Sequence, residues 1–185
     1  MKTYKAYTDG SYQSSIGCGG YASIIYDETG KLVVRLYQGF KGTTNNRMEA
    51  RAVLETLKYF KEPVKITIVS DSMYVVNIIN QGWVNKWFTD KDYSKSNLDI
   101  WFEILDYLNF HDVTMEWTKG HSDNEMNNEV DELCVFAAQC LNLPEDEHIN
   151  KSKESGEPLV PESETRGSTG FNVGSKDGKI TYSLG

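Results

Sequence analysis

Four acids in the 185-residue chain stand where local physics offers a carboxylate little reason to be: Asp9, Glu49, Asp71 and Asp131. Asp9 closes a strand-like run before Gly10-Ser11, so it projects at the strand's C-terminal edge, where open α/β sheets place ligands. The same residues also read as an ordinary Asp-Gly turn. Asp71 closes Ile66-Thr67-Ile68-Val69-Ser70 and starts the next helix, again at a strand's C-terminal edge, and it equally suits a helix N-cap. If those two strands run parallel and adjacent, as a βαβ crossover implies, the two aspartates face each other and repel unless a cation joins them. Glu49 lies in line with Val53, Leu57 and Phe60, on the buried stripe of its helix, where a charge is costly; Asn46-Arg47-Met48-Glu49 also has the spacing of a capping box with Asn46 as N-cap. Asp131 follows Val130 early in the last helix, with Cys134, Val135 and Ala138 on its side, and an acid there also favours the helix N-terminus. His121, in the polar loop Lys119-Gly120-His121-Ser122-Asp123, is a solvated loop histidine or a candidate acid or base, depending on its neighbours.

Two strand-end aspartates with two acids on the near turns of helices make an all-oxygen cluster, the donor set that Mg²⁺ or Mn²⁺ prefers. Zinc is disfavoured, because the cysteines do not cluster with His121 and no HExxH or CxxC spacing is present. Carboxylate clusters of this kind hold paired metals about 3.5 to 4 Å apart in phosphodiester cleavage. The chemistry implied is metal-dependent hydrolysis.

The elements around these residues must position them. Thr3 to Asp9, Gly20 to Tyr26 and Lys31 to Phe40 read as strands of a meander, with Asp27-Glu28-Thr29-Gly30 as a hairpin turn. Met48, Val53, Leu57 and Phe60 predict a helix from about Asn46 to Lys61, ended by Glu62-Pro63. Val64 to Val69 reads as a short strand, and Tyr74, Val75, Ile78 and Ile79 mark a helix from Ser72 to Gln81. Ser96-Asn97-Leu98-Asp99 has the form of a capping box ahead of Trp101, Leu105 and Leu108. Val113 to Trp117 is a strand, and Met126, Val130, Leu133, Ala137 and Leu141 mark a final helix. The order predicts an α/β layer fold with a mixed sheet.

Composition bounds the rest. With 27 acids against 19 bases the net charge is −8, which excludes a generic basic nucleic-acid coat protein and makes adhesion to anionic membranes unfavourable. A hydrophobic share of 39% and an aromatic share of 12% support a packed core. Three cysteines without a CxxC pair, and no apolar leader after Met1-Lys2, point to a reducing compartment, the cytoplasm. No stretch approaches the ~20 apolar residues of a membrane span. Composition shifts at Asn142-Leu143-Pro144, so residues 1–141 read as one domain and 142–185 as an acidic, low-complexity tail, richest in Ser, Glu, Gly, Pro and Thr from Lys151 to Gly170. Within it, Phe171-Asn172-Val173 and Ile180-Thr181-Tyr182 flank Gly-Ser-Lys-Asp-Gly, a hairpin signal.

Thr8-Asp9-Gly10-Ser11, Thr43-Thr44-Asn45-Asn46-Arg47-Met48-Glu49, Ser70-Asp71-Ser72, Trp117-Thr118-Lys119-Gly120-His121 and then Asp131 resemble type 1 ribonuclease H in order and spacing, over about Met1 to Leu141. The resemblance implies a ribonuclease H-like fold: a five-stranded mixed sheet, three strands in an antiparallel meander plus two parallel, with helices on both faces. It implies an endonuclease that cuts the RNA strand of RNA–DNA hybrids with two Mg²⁺ ions, Mn²⁺ substituting, and leaves 5′-phosphate and 3′-hydroxyl ends. Asp9 would bridge both ions, Asp131 would face the one that activates water, and Glu49 and Asp71 the one at the leaving group. His121 would assist proton transfer or product departure. Asn45 and Glu49 would touch 2′-hydroxyls, the group that tells RNA from DNA, and Thr44 and Asn46 the DNA phosphates.

Trp83 and Trp87 stand where similar enzymes line the DNA channel, although their spacing also suits core packing. Lys86, Lys91 and Lys95 fall where a basic protrusion grips the hybrid, with Lys119 a further basic contact. Asp90 and Asp92 interrupt those bases, which implies weaker, more salt-sensitive binding. Ser15-Ile16, Met73 and Asp123 depart from residues common in similar sequences. The expected partner is the RNA–DNA hybrid, bound by a monomer away from membranes. A phosphate-handling ATPase or sugar kinase would need a second duplicated domain that 185 residues do not supply. A non-catalytic binder of a polyanion would gain by losing the four acids, and a two-carboxylate glycosidase needs fewer of them.

Overall fold

The computed structural model describes residues 1–121 and 123–146, together with the strands Phe171–Lys176 and Lys179–Leu184. Three strands open the chain, β1 (Thr3–Gln13), β2 (Cys18–Asp27) and β3 (Leu32–Lys41). Then follow α1 (Asn45–Tyr59), β4 (Lys65–Ser70), α2 (Met73–Asn80), α3 (Trp83–Thr89), α4 (Leu98–Phe110), β5 (Asp112–Trp117) and α5 (Glu125–Ala138). The sheet order is β3-β2-β1-β4-β5. The meander pairs antiparallel, whereas β1–β4 and β4–β5 pair parallel.

The Asp27 turn forms as its residues require. Asp27 Oδ1 accepts from the Thr29 and Lys31 amides at 2.9 and 3.0 Å, and Gly30 takes the left-handed conformation, φ 82°. β2 is buried along most of its length because helices cover both faces of the sheet. On one face α1, α2 and α4 bury Val53, Leu57, Val75, Trp101 and Leu105 against Ala6, Ile66 and Ile68 of the strands. On the other, Val130 and Cys134 of α5 meet Ala22 and Ile24. The seat of α5 depends on two glycines: a Cβ at Gly20 would stand 2.4 Å from the Cys134 carbonyl oxygen, and one at Gly39 2.2 Å from that of Ala137.

Two expected helix starts differ. Thr44, not Asn46, is the N-cap of α1, accepting from the Arg47 amide at 3.2 Å. At α4 no capping box forms: Asn97 sits at φ 65° without a side-chain cap, and Asp99 turns to Arg47, whose Nη1 and Nη2 donate to it at 2.9 and 2.8 Å. A two-pronged charge-assisted pair outcompetes a single local cap. Beyond the final helix the chain stays on the body: Leu143 and Asp146 are buried, and Lys41 bridges to Glu145. The expected hairpin is present as β6 (Phe171–Lys176) and β7 (Lys179–Leu184), paired antiparallel. The Lys151 to Gly170 stretch lies outside the described residues.

Candidate active site

Asp9 is within β1 rather than at its end. The expected Asp-Gly turn does not form, because β2 keeps pairing with β1 past it, Asp9 opposite Ala22 and Gly10 opposite Tyr21. The parallel partner stops sooner, with Thr8 opposite Ser70, so β4 turns away beside Asp9 and delivers Asp71 next to it. Gly10 has a packing reason instead: a Cβ there would lie 2.3 Å from the Glu49 nitrogen. Only glycine lets α1 approach β1 closely enough to bring Glu49 to Asp9.

Each competing structural explanation of the acids fails on a named contact. Thr44 caps α1, so Glu49 has no capping role, yet it is only 5% exposed. Ser72, not Asp71, caps α2, accepting from the Val75 amide at 3.4 Å. Asn124 caps α5, and Asp131 sits in its second turn, past the range of the helix-end field.

One carboxylate oxygen each from Asp9, Glu49 and Asp71 lie within 4.8 Å of one another, and oxygens of Asp9 and Asp131 lie within 4.8 Å of each other and of Cys134 Sγ. Asp9 is the common member. Asp9 Oδ1 accepts from the Gly10 amide at 2.9 Å, and Glu49 Oε2 is buried without a hydrogen-bond partner among the described residues. Burial, and then the charge of Asp71, push the Asp9 carboxyl up to about 8. Burial and the Asp9 charge hold Glu49 well above the ordinary range, and burial and the Asp131 charge raise Asp71. An orphaned carboxylate oxygen and three acids that resist ionising together are what a missing countercharge leaves behind. The residues therefore fit a hard divalent cation, with all-oxygen donors from Asp9, Glu49, Asp71 and Asp131.

The loop after β5 lies over Asp71. Trp117 Nε1 donates to the Asp71 carbonyl at 3.1 Å, and a Cβ at Gly120 would stand 2.8 Å from Asp71 Oδ2. His121 is exposed in this loop at φ 52°, and its charge acts on Asp71. Lys119 is exposed beside it. Thr44, Asn45 and Asn46 are exposed at the start of α1.

A groove of about 420 Å³ begins at Asn46 and runs along Tyr74, Trp83, Trp87, Lys95 and Asn97. Both tryptophans line the groove; Trp83 is 43% exposed, while Trp87 also packs on the core. Lys86 is exposed and pairs with Asp90 at 3.8 Å; it is not among the groove's lining residues.

Several residues of the site escape a reading by residue type. Cys134 reaches the carboxylates because it stands one turn after Asp131, and its thiol donates to the Asp131 carbonyl at 3.1 Å. Burial and the Asp9 charge push that thiol up, which makes it inert as a nucleophile. Arg47, Asp99 and Asp146 form a buried ion network beneath the Thr44–Asn46 turn. Arg47 carried the one available signal, a cation among the buried residues of an amphipathic helix.

Carboxylates gathered where the parallel strands of a mixed α/β sheet end define a site suited to hard cations. A family model described as RNase H matches residues 1–139. Over 138 residues the chain is 41% identical to the protein named Ribonuclease H from Caldicellulosiruptor saccharolyticus, covering 72% of this chain and 94% of that protein. It is 42% identical over 138 residues to the Ribonuclease H of Chlorobium limicola, covering 71% and 92%. In fold it is similar to LC9-RNase H1, described as a type 1 RNase H with the type 2 active-site motif, at a TM-score of 0.67 and 23% identity over 88% of this chain and 90% of that one. RNase H1 from Halobacterium salinarum aligns at 0.57 with 19% identity, over 73% and 96%. The chain belongs to the RNase H family. It is thus an endoribonuclease of the hydrolase class, with a cluster of acids suited to the divalent metal its family uses. Among the described residues no helix is long and apolar enough to cross a membrane.

Proposed function

We propose that the protein cuts the RNA strand of RNA–DNA hybrids endonucleolytically by two-metal-ion catalysis, leaving 5′-phosphate and 3′-hydroxyl ends. The observation that carries this reading is the convergence of Asp9, Glu49 and Asp71 with Glu49 Oε2 buried and unpartnered, in a chain of this family. When bound, Mg²⁺, or Mn²⁺ in its place, supplies activation of water and charge stabilisation of the phosphodiester transition state. Asp9 would be shared by the two ions, Asp131 would hold the one that activates water, and Glu49 with Asp71 the one that stabilises the leaving oxygen. His121, on the exposed loop over Asp71, moves a proton to or from the reacting groups or speeds product departure.

Recognition falls to the α1 start and the groove. Asn45 and the Glu49 carboxyl address 2′-hydroxyls, and Thr44 and Asn46 the DNA phosphates. The Trp83 and Trp87 rings line the path of the DNA strand, and Lys119 and Lys86 add charge near the backbone. The protein acts as a cytoplasmic monomer, with residues 1–141 as catalytic domain and 142–185 as an acidic appendage whose first residues, Leu143 to Asp146, dock on the body. Asp9→Asn, isosteric and uncharged, is the direct test. It is expected to abolish cleavage of a labelled hybrid in Mg²⁺ with the circular dichroism spectrum unchanged, and wild-type activity in the variant would overturn the metal-site reading.

A further inference from the structure

Asp146 lies seven residues past the last one matched by the family model, in a stretch whose composition reads as tail, yet it is only 1% exposed. Its carboxylate accepts from Arg47 Nε at 2.8 Å, Arg47 Nη2 at 2.9 Å and Thr43 Oγ1 at 2.9 Å, with Arg51 Nη2 at 3.7 Å. Its backbone is pinned too: the Asp146 amide donates to the Lys41 carbonyl at 2.9 Å, and the Lys41 amide to the Pro144 carbonyl at 2.8 Å. From the opposite side Asp99, at the start of α4, takes the other edge of the Arg47 guanidinium. The chain from Lys41 to Arg47 is therefore clamped at its beginning, at Thr43 and at its end. Between those points it exposes Thr44, Asn45 and Asn46, and two residues past the clamp stands Glu49.

A buried ion network is a poor device for stability alone, since desolvation offsets most of the attraction. Its geometric effect is specific: it sets the distance between the exposed turn and the carboxylates. We propose that Asp146 is a positioning residue for substrate, a latch that holds the Thr44–Asn46 turn, through Arg47 and Thr43, in register with Glu49. This rests on the reading of that turn as the hybrid contact. Contacts from the turn form in the ground state and persist in the transition state, so loosening them raises KM and leaves kcat nearly unchanged.

The test uses the full chain with Asp146→Asn, which keeps the volume and removes the charge. Hybrid cleavage kinetics are measured in Mg²⁺, and the Kd for the same hybrid is measured in EDTA. Leu108→Ala, in the core at the far end of α4, serves as a destabilised control, and all assays run well below every melting temperature. The latch requires about a tenfold rise in KM and in the metal-free Kd for Asp146→Asn, kcat within about twofold, and wild-type KM for Leu108→Ala. Unchanged KM and Kd in Asp146→Asn, or an equal rise in Leu108→Ala, would overturn it. A wild-type protein that binds the hybrid but does not cut it would instead count against the hydrolase reading, with the Kd comparison still deciding the latch.

Discussion

Removing the central carboxylate should make the metal-free protein more stable, by an amount that grows with pH. An aspartate carboxyl ionises near 3.8 in an unfolded chain, and burial with the Asp71 charge carries Asp9 to about 8 in the fold. Between those values the folded state holds a proton that the unfolded state has released. Unfolding then releases a proton, so stability falls as pH rises across the window. The penalty is absent below about pH 4 and complete above about pH 8. At about 1.4 kcal/mol per pH unit the whole window is worth on the order of 5 kcal/mol. Asp9→Asn keeps the side-chain volume but exchanges the acid that meets Glu49 for an amide, so a net gain of about 2 to 4 kcal/mol at pH 8 is expected, or ~5–10 °C in Tm. Urea denaturation in EDTA, followed by circular dichroism at about pH 4.5, 6 and 8, measures it. Nearly equal stabilities at the acid end and a widening advantage for Asp9→Asn towards pH 8 support the argument. A variant no more stable than wild type at pH 8, or an advantage independent of pH, would refute the claim that burial and the neighbouring acids raise the Asp9 carboxyl in the folded protein.

Three further outcomes are expected. Gly10→Ala should cost about 2 to 4 kcal/mol and most of the activity, because its methyl would fall 2.3 Å from the Glu49 nitrogen and push α1 off β1; thermal melts and hybrid cleavage read both. His111 is buried, accepting at Nδ1 from the Val64 amide at 3.2 Å with Nε2 2.9 Å from the Leu57 carbonyl, and burial lowers its pKa below 6.5. Its contribution to stability is complete above about pH 6.5 and is lost as pH falls towards the lowered value, so the urea-denaturation stability of wild type relative to His111→Gln should shrink through that range, whatever slope Asp9 gives both proteins. Trp83→Ala, at a ring 43% exposed in the groove, should weaken hybrid binding by about 1 to 3 kcal/mol, with stability changed by less than about 1 kcal/mol.

The acids themselves were legible in the sequence because each broke a local rule that period and spacing make visible, Glu49 on an apolar stripe most plainly. Their surroundings were less so, and for one reason. Gly10-Ser11 looks like a turn until β2, which begins at Cys18, is known to keep pairing with β1. Ser96 looks like the start of a capping box until Arg47 is known to draw Asp99 away from the α4 start. Asp146 sits in a composition that reads as tail, and only its distant partners Arg47 and Thr43 make it part of the body. Trp83 and Trp87, four residues apart on one helix, could not be divided between groove and core by spacing, because the exposure of each is set by what packs beside it. In each case a long-range partner outweighs the local preference.

The charge of −8 sharpens the question of substrate, since nucleic acid must approach an acidic protein. The four clustered carboxylates are part of that charge, and divalent cations among them reverse the local field. Incubating the wild-type protein with end-labelled RNA–DNA hybrid, duplex RNA and duplex DNA, each with Mg²⁺ and with EDTA, tests this most directly. The account predicts internal cuts confined to the RNA strand of the hybrid and lost in EDTA. Cleavage of either pure duplex at a comparable rate, or cleavage of the hybrid that survives EDTA, would contradict it.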